Sequence, residues 1–481
     1  MLPGTTSPPL QSYRSLSGVG SSGHAPLGEL FYVDDQHNYG DCRRQAAYFP
    51  LRSSLVRWAS AGPVRRRRAV GQASPQVRGP GDATADRIPI RLSRAGEVLQ
   101  LVRSGTASTT SEIAATMSVA RSTVSERIAL LLRNDLLVPA GEVALGRGRP
   151  SVRYAFNAQA GLVLTVQLGM SGSRVALTDL SAHVLASRTV DADLTLGPEA
   201  VFDTVIETLE DHLRGIGADR THLRGVGLGV PSSTELAAIH ASDEEQLRPW
   251  ANFDVVRHVQ ELLAVPVYVD QDVNLLALAE HRSSWPSAKV FACVKVGTSI
   301  GCGIVIDGQV FRGGNGLAGQ IAHTPVAGST AQCDCGNVGC LNATASGAAL
   351  VAKLRSATDF SGTSTRELSQ RARAGDVTAI QAIRQAGRDV GEVLAGVVNV
   401  LNPEALAVWG YLDDAGDYLV AGIRESIYAS ALSAAGEALT ITHATLGSDA
   451  GIRGAATAVI EKFLEPAALD GWIHQAENRG R

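Results

Sequence analysis

The stretch that decides the fold runs from Gly314 to Asn342 and reads GNGLAGQIAHTPVAGSTAQCDCGNVGCLN. It brings one histidine and three cysteines close together, in the spacing His323-x9-Cys333-x-Cys335-x4-Cys340. Four nitrogen and sulfur ligands within about twenty residues are typical of a structural zinc site, in which protein atoms fill all four tetrahedral positions. The spacing therefore predicts a structural Zn2+ ion held by His323, Cys333, Cys335 and Cys340. Glycines at turn positions inside the cluster make three incidental cysteines a poor alternative.

Length and composition are those of a globular protein of about three structural units. The chain has 481 residues, of which 45% are apolar, so it can bury a sizeable core. No stretch approaches the ~20 apolar residues of a membrane span, and the N-terminus lacks a basic region followed by an apolar core. We therefore expect a cytoplasmic protein without membrane association. In that reducing compartment, the scattered Cys42, Cys293 and Cys302 are expected to be free thiols.

The net charge of −4 hides an asymmetry between the two parts of the chain. Residues 1–153 hold 20 arginines and 11 acidic residues, a net charge of +9, whereas the remainder carries −13. A basic N-terminal part on an acidic body favours a nucleic-acid-binding head on a ligand-binding core. The alternative is a solvated basic tail, because Arg65–Arg68 contribute part of the excess.

Residues 1–86 and 87–157 differ in their patterning. Residues 1–86 lack periodicity and are rich in Ser, Gly, Pro and Arg, so we expect a disordered or spurious N-terminal extension. From Leu92 to Val102 the apolar residues keep helical spacing. Thr109-x-x-Glu112 is a capping box for a second helix ending at Met117. A tight turn and a third helix, from about Arg121 to Asn134, complete a helix-turn-helix pattern.

A β-hairpin with a basic tip follows the third helix and completes a winged helix-turn-helix over residues 87–157. Its tip, Gly146-Arg147-Gly148-Arg149-Pro150, suits a narrow minor groove or phosphates, since glycine lets backbone approach DNA closely. The alternative is a small structural helical bundle. The residues expected to contact double-stranded DNA are Arg121, Ser122, Thr123, Ser125, Arg127, Arg147 and Arg149.

After Asn157 the sequence pattern is that of an α/β protein. Two strand–glycine–strand openings, near Leu162 and Val290, lie about 128 residues apart and suggest a duplicated two-lobed fold with a ligand cleft between the lobes. We expect lobe one at about 160–280 together with the C-terminal helix, and lobe two at about 285–445. Residues 464–481 are expected to be a C-terminal tail.

The chain from about residue 88 to 463 closely resembles the ROK family of bacterial repressors, open reading frames and sugar kinases. Residues 296–304, Gly308 and residues 313–323 match the family signature, and Cys333–Cys340 match its zinc motif. The resemblance implies an actin/hexokinase-like domain over residues 160–463. The upstream winged helix resembles that of the family's transcriptional regulators, because the kinases begin directly at the first lobe.

The resemblance also places the sugar contacts. Asp272 stands at the position of the kinase general base, but Gln271 replaces an Asn, and Gln320 and Asn342 each replace a Glu. Neutral amides both donate and accept hydrogen bonds, so a pocket can form, although it should not recognise the usual hexose in the usual way. The expected sugar-binding residues are Gln271, Asp272, Gln320, His323 and Asn342.

The elements that bind ATP in the kinases are degraded here. The first phosphate loop becomes residues 167–171, QLGMS, and the second becomes residues 297–301, GTSIG. The Gly-Gly pair near the adenosine becomes Gly410 flanked by Trp409 and Tyr411. Phosphoryl transfer depends on positioning and charge neutralisation, so no catalytic residue and no kinase activity are expected.

The resemblance therefore implies a DNA-binding transcriptional regulator, a repressor of carbohydrate uptake or metabolism genes. It should bind operator DNA as a homodimer or homotetramer and respond to a sugar or sugar phosphate. One alternative is a sugar kinase with an appended DNA-binding head. Another is a regulator whose sugar lobes serve only as a dimerisation scaffold or sense a partner protein.

Overall fold

The chain folds into two α/β lobes that are preceded by three helices and a β-hairpin. A computed structural model describes residues 94–143, 151–169, 173–192, 196–231, 250, 253–358 and 360–479. The N-terminal head comprises α1 (Ala95–Arg103), α2 (Thr110–Met117), α3 (Arg121–Arg133), β1 (Leu137–Val143) and β2 (Ser151–Phe156).

Lobe one is built on a mixed five-stranded sheet with helices on its faces. Its elements are β3 (Leu162–Gln167), β4 (Ser173–Asp179), β5 (Val184–Val190), α4 (Pro198–Ile216), β6 (Leu223–Val230), α5 (Val255–Leu263), β7 (Val267–Gln271) and α6 (Asp272–Ser284). Two C-terminal helices follow lobe two in the chain and pack on lobe one: α13 (Ala450–Phe463) and α14 (Pro466–Arg479).

Lobe two repeats this plan. Its strands are β8 (Val290–Val296), β9 (Ile300–Ile306), β10 (Gln309–Val310), β11 (Ala405–Trp409) and β12 (Thr440–His443). Its helices are α7 (Leu341–Ala345), α8 (Gly347–Ala357), α9 (Thr365–Arg373), α10 (Val377–Leu401), α11 (Tyr418–Ser430) and α12 (Ser433–Ala438).

The two sheets have the same strand order and the same strand directions. The order is β5-β4-β3-β6-β7 in lobe one and β10-β9-β8-β11-β12 in lobe two. In each sheet the first three strands in the chain are antiparallel neighbours, and the last two are added in parallel. The duplicated α/β architecture expected from the two glycine-bounded hairpins is therefore present.

Helices α6 and α13 join the lobes because glycines let them approach neighbouring backbones closely. A Cβ on Gly303 of β9 would lie 2.2 Å from the Val273 carbonyl oxygen of α6. A Cβ on Gly454 of α13 would lie 1.9 Å from the Leu275 carbonyl oxygen of the same helix. The helix that begins at Asp272 thus touches both the second sheet and α13.

The three helices of the head form where the sequence predicted them. The Thr109 hydroxyl accepts a hydrogen bond from the Glu112 amide, and the Glu112 carboxylate accepts one from the Thr109 amide, so the capping box is present. Ser118 ends α2 with φ of 54°, at the expected tight turn. The inward-facing side chains Val124, Ile128 and Leu131 of α3 are buried.

Residues 464–481, expected as a tail, form a helix over most of their length. Helix α14 spans Pro466–Arg479, and its Leu469 and Ile473 are buried in one core cluster with residues of α1, α3, β3 and α13. These side chains are buried because α14 lies between the head and lobe one. The structured C-terminus corrects that expectation.

Within the described ranges, no helix is long and apolar enough to cross a membrane.

Candidate functional site

The predicted metal ligands come together at one corner of lobe two. The ligand atoms of His323, Cys333, Cys335 and Cys340 all lie within 4.8 Å of one another. The Cys335 and Cys340 sulfurs are 3.7 Å apart, and Cys333 Sγ lies 3.7 Å from His323 Nδ1. Zn–S bonds of about 2.3 Å at tetrahedral angles place two sulfurs about 3.8 Å apart. The donor set and its spacing therefore fit a closed Zn2+ site.

Local backbone geometry explains why the cluster folds this way. Gly336 and Gly339 adopt φ of 89° and 79°, in the left-handed region that favours glycine. The Gly336 amide donates to the Cys333 carbonyl over 2.8 Å, which closes the tight turn between the first two cysteines. A Cβ on Gly339 would lie 2.8 Å from the Ser329 carbonyl oxygen, so a larger residue would push the strands of the loop apart.

A small cleft lies between the lobes, and some of the residues expected to bind sugar line it. It is lined by Gln271, Asp272, Val273, Lys295, Ser299, Ile300, Gly301, Gly319 and Gln320. Gln271 and Asp272 stand where β7 ends and α6 begins, whereas Gln320 belongs to the loop that leads to His323. His323 points to the cysteines and does not line the cleft. Asn342 borders the cleft, because its Oδ1 accepts a hydrogen bond of 3.0 Å from the amide of the cleft residue Ile300.

Two of the amide side chains expected to contact sugar bind each other across the cleft. Gln320 Nε2 donates to Gln271 Oε1 over 3.1 Å, and Gln271 Nε2 donates to the Gly316 carbonyl over 3.1 Å. Gln271 is buried, so these bonds fix its side chain. Lobe one and the loop before the metal site are therefore joined directly by these two amide side chains.

Lys295 is a cleft residue that sequence reasoning missed. Its Nζ lies 2.5 Å from Asp272 Oδ2, and the two side chains are only 18% and 10% exposed. A signal was present, because Lys295 sits in the otherwise apolar strand Val290–Val296, and a lysine is rarely buried without a partner. The Asp272 carboxylate is thus engaged in an ion pair.

A second cross-lobe ion pair, also missed, joins Arg312 to Asp270. Arg312 Nε donates to Asp270 Oδ2 over 3.1 Å, and the Tyr268 hydroxyl donates to the same oxygen over 3.0 Å. Asn274 Nδ2 donates to the other oxygen over 2.7 Å, so the buried carboxylate has several partners. Burial, together with the Asp270 charge, raises the pKa of Tyr268 and keeps it protonated as a donor.

Side-chain hydrogen bonds also link both lobes to the residues just before α13. Trp409 Nε1 donates to the Gly447 carbonyl over 2.7 Å. Arg174 of β4 donates to the Ser448 carbonyl and to Asp449, each over 2.5 Å. These bonds tie the start of α13 to a strand from each lobe. Of residues 167–171, expected from the sequence as an altered first phosphate loop, residues 170–171 lie outside the described ranges.

The residues expected to bind DNA are placed in part. Arg121, Ser122 and Ser125 of α3 are exposed, and Thr123 is half-buried. Arg127 turns back toward α2, with Nη1 3.9 Å from Met117 Sδ, so it faces solvent less than its neighbours. Arg147 and Arg149 lie outside the described residues.

Comparison with protein families identifies the two-lobed part of the chain. A family model described as "ROK family" matches residues 163–462, more than half of the chain. The chain belongs to the ROK family. The match spans both sheets, the cleft and the metal ligands.

Curated ROK relatives include both repressors and kinases. A putative xylose repressor from Caldicellulosiruptor sp. (strain Rt8B.4) is 26% identical over 358 residues, which cover 72% of this chain and 89% of the relative. The transcriptional dual regulator NagC of Escherichia coli K12 is 25% identical over 67% of this chain and 81% of its own. A glucokinase from Halalkalibacterium halodurans is 29% identical over 60% of this chain and 92% of its own.

Solved ROK structures share the fold. A transcriptional regulator described as a homologue of the E. coli MLC protein is similar with a TM-score of 0.66 at 22% identity, covering 80% of this chain and 99% of the other. A ROK hexokinase from Thermus thermophilus is similar with a TM-score of 0.51 at 29% identity, covering 62% and 97%.

Proposed function

We propose that this chain is a sugar-responsive transcriptional repressor. The observation that carries the proposal is the extent of similarity: the repressor relatives match 72% of the chain, whereas the glucokinase matches 60%. In this assignment residues 87–157 form a winged helix-turn-helix and residues 160–463 the effector-binding ROK domain, preceded by an extension over 1–86.

The arrangement of the head supports DNA binding. The α2–turn–α3 unit presents Arg121, Ser122 and Ser125 to solvent, as a recognition helix presents its base-contacting residues. Strands β1 and β2 form an antiparallel hairpin in which Leu137 lies opposite Phe156. The sequence that connects the two strands contains Arg147-Gly148-Arg149. We assign α3 to the major groove and Arg147 and Arg149 to the minor groove or backbone. Two heads in a homodimer or homotetramer would read a pseudo-palindromic operator.

The cleft supports a neutral or phosphorylated sugar as the effector. Its lining offers amide, carboxylate and ammonium groups that converge on one space, as hydroxyl recognition requires. Because Gln320 and the metal ligand His323 belong to one short segment, a structural Zn2+ ion would hold that wall of the cleft in place. The residues that would hold the ion are His323, Cys333, Cys335 and Cys340; bound there, it supplies cross-linking rather than catalysis.

Phosphoryl transfer is not part of the proposed function. The Asp272 carboxylate is paired with Lys295. Trp409 and Tyr411 flank Gly410 where the resemblance expects a Gly-Gly pair near the adenosine. Because a glucokinase is among the relatives, a sugar kinase with a DNA-binding head is the second candidate function. A coupled assay for ADP across a sugar panel separates the two. We expect no release; sugar-dependent release that disappears in Asp272→Asn would establish the kinase.

The experiment that tests the proposed function selects DNA fragments from a random-sequence pool with the full-length, zinc-loaded chain. The complex with the selected duplex is then titrated with sugars. D-xylose and N-acetylglucosamine come first, because two relatives are named xylose repressor and N-acetylglucosamine repressor. Arg121→Ala should weaken binding about tenfold, the loss typical of one base contact. The matched control is Arg188→Ala, which removes a surface arginine of lobe one. If the chain enriches no duplex, the repressor proposal fails.

Effector sensing is tested with cleft variants. A sugar that binds the folded chain stabilises it, by about 2.7 kcal/mol at a hundred times its Kd. Gln320→Ala and Asn342→Ala should weaken that stabilisation and the sugar's effect on the selected duplex. If both variants respond to the sugar as the wild type does, the sugar site lies outside these two residues; if no sugar stabilises the wild type or changes its DNA binding, the lobes act as a scaffold instead.

A further inference from the structure

The first helix of the head begins without a cap of its own. The residue before α1 is Arg94, which has φ of 54° and makes no side-chain hydrogen bond to the helix amides. The first N–H groups of a helix have no partner inside it, and a side-chain oxygen normally accepts from them. Helix α2 has such a cap in the preceding residue, Thr109. Helix α1 of the same head lacks one.

Asp470 of α14 supplies the missing cap from the other end of the chain. Its Oδ2 accepts from the Arg94 amide over 2.9 Å, and its Oδ1 accepts from the Gly96 amide over 3.0 Å. Asp470 is 5% exposed. A carboxylate at a helix N-terminus gains from the helix dipole as well as from the hydrogen bonds. The head is therefore capped by a residue that is remote in sequence.

Close packing surrounds this cap. A Cβ on Gly96 would lie 2.5 Å from Pro466 Cα, so α1 and α14 meet at a contact that only glycine permits. Gln100 Nε2 of α1 donates to the Leu464 carbonyl over 2.7 Å. Leu99 of α1 and Leu469 of α14 are fully buried in the same core cluster.

The other side of α14 is tied to lobe one. The Arg224 guanidinium of β6 lies 4.9 Å from the centroid of the Trp472 ring, and Trp472 packs edge-on against Phe463 of α13. Helix α13 contacts α6 where Gly454 meets Leu275, and α6 begins at the cleft residue Asp272. A continuous run of packed helices thus leads from the cleft to α1.

We propose that Asp470 is a positioning residue that fixes the head to lobe one, so that the DNA-binding helices turn with lobe one as one body. This inference rests on the proposed function, because it states how a sugar in the cleft would change the geometry of the heads. It makes α14 part of the regulatory machinery instead of a tail.

The test compares the full-length wild type with Asp470→Asn and Glu477→Gln. Asparagine offers one acceptor oxygen and sets an N–H donor against a backbone donor, so at least one capping bond is lost. The matched control, Glu477→Gln, removes an exposed ion pair between the same helix and the head, in which Arg133 Nη2 lies 3.2 Å from Glu477 Oε1. Exposed ion pairs contribute little to folding stability.

The first measurement is amide hydrogen exchange in the absence of DNA and sugar. In Asp470→Asn, exchange over residues 94–103 should accelerate by roughly tenfold, the effect of losing a helix cap, while α10 in lobe two stays unchanged. Glu477→Gln should match the wild type. Unchanged exchange in α1, or acceleration spread evenly over both lobes, would overturn the assignment.

The second measurement separates a loosened head from an unfolded one. For a mixed-sequence duplex, Asp470→Asn should bind within about twofold of the wild type, because each head still binds the DNA phosphates. For the duplex selected by the wild type, affinity should fall by roughly tenfold, because two heads must be held at a fixed spacing. An equal fall in affinity for both duplexes would mean that Asp470 only keeps the head folded.

A second variant approaches the same contact from the other helix. Gly96→Ala forces α1 away from Pro466 and should reproduce both effects of Asp470→Asn. If Gly96→Ala leaves exchange and selected-duplex binding at wild-type values, the close contact is dispensable and the proposal fails. If the wild type selects no duplex, the repressor proposal falls, and the exchange experiment still decides whether Asp470 anchors the head.

Discussion

Lys295 Nζ lies 2.5 Å from Asp272 Oδ2, and this ion pair joins lobe two to lobe one across the cleft. The two preceding residues also cross: Gln271 bonds to Gln320, and Asp270 pairs with Arg312. Three consecutive residues at the junction of β7 and α6 thus each bind lobe two. A ligand that enters the cleft must fit within or rearrange this set of interactions, which gives the effector a direct influence on the relative position of the lobes.

The Asp272–Lys295 pair should stabilise the contact between the two lobes. In Lys295→Met the carboxylate stays largely buried without its cation, and we expect the free energy of unfolding to fall by about 2 kcal/mol, less than for a fully buried pair because both groups keep some solvent. The double variant Asp272→Asn/Lys295→Met should recover most of that stability. Denaturant unfolding of the zinc-loaded chains measures it. If the double variant is destabilised by the sum of the two single effects, the groups are not coupled.

Zinc should be bound in a ratio of one ion per chain and should be needed for stability. Metal analysis of the purified chain checks the ratio, and Cys340→Ser should abolish binding because it removes one of four ligands. Removing the ion should lower the thermal midpoint and speed proteolysis between residues 320 and 342. Cys293→Ala is the control: its thiol is buried outside the cluster, and burial raises its pKa well above the usual value. A Cys340→Ser chain that keeps its zinc would refute the ligand set.

The sequence predicts features formed within one short segment, but it does not predict contacts that form only where the two lobes meet. The metal cluster and the capping box each lie within a short segment, so their spacing alone specifies them. The partners Asp272 and Lys295 stand 23 residues apart, and Asp270 and Arg312 stand 42 apart. Their pairing requires the two sheets to face each other, which no local pattern encodes. Asp470 and Arg94 are 376 residues apart, so the cap on α1 could not be read from the sequence.

Arg147 and Arg149 should act through DNA phosphates or the minor groove. Replacing both by Ala should weaken DNA binding and reduce the slope of log Kd against log salt concentration by about 2, since each phosphate that is no longer neutralised accounts for about 0.9. Binding titrations of the selected duplex between low and physiological salt give the slope. Arg188→Ala, a surface arginine paired with Asp211 in lobe one, should leave the slope unchanged. An unaltered slope in the double variant would mean that the hairpin tip does not touch DNA.

His443 should make folding stability fall as pH rises. Its ring nitrogens lie 2.8 Å from carboxylate oxygens of Asp413 and Asp417. Burial alone would lower the pKa of His443, but the two carboxylates outweigh it and raise the pKa above 6.5. Burial also raises the pKa of Asp413, from 3.8 to about 6. Both groups bind protons more tightly in the folded chain than in the unfolded chain, so their stabilising contribution is lost as pH rises through the folded pKa values.

The measurement compares thermal midpoints of the wild type and His443→Gln at pH 6 and pH 8.5, at constant ionic strength. Glutamine keeps a hydrogen-bonding side chain but cannot carry the positive charge. Titrating groups that do not contact His443 are common to both chains and cancel in the difference, whereas Asp413 loses a neighbour that lowers its pKa. The wild type should therefore lose more stability than the variant between the two pH values, through the charge that His443 gives up. Parallel pH dependence in the two chains would show that His443 gains no proton affinity from Asp413 and Asp417.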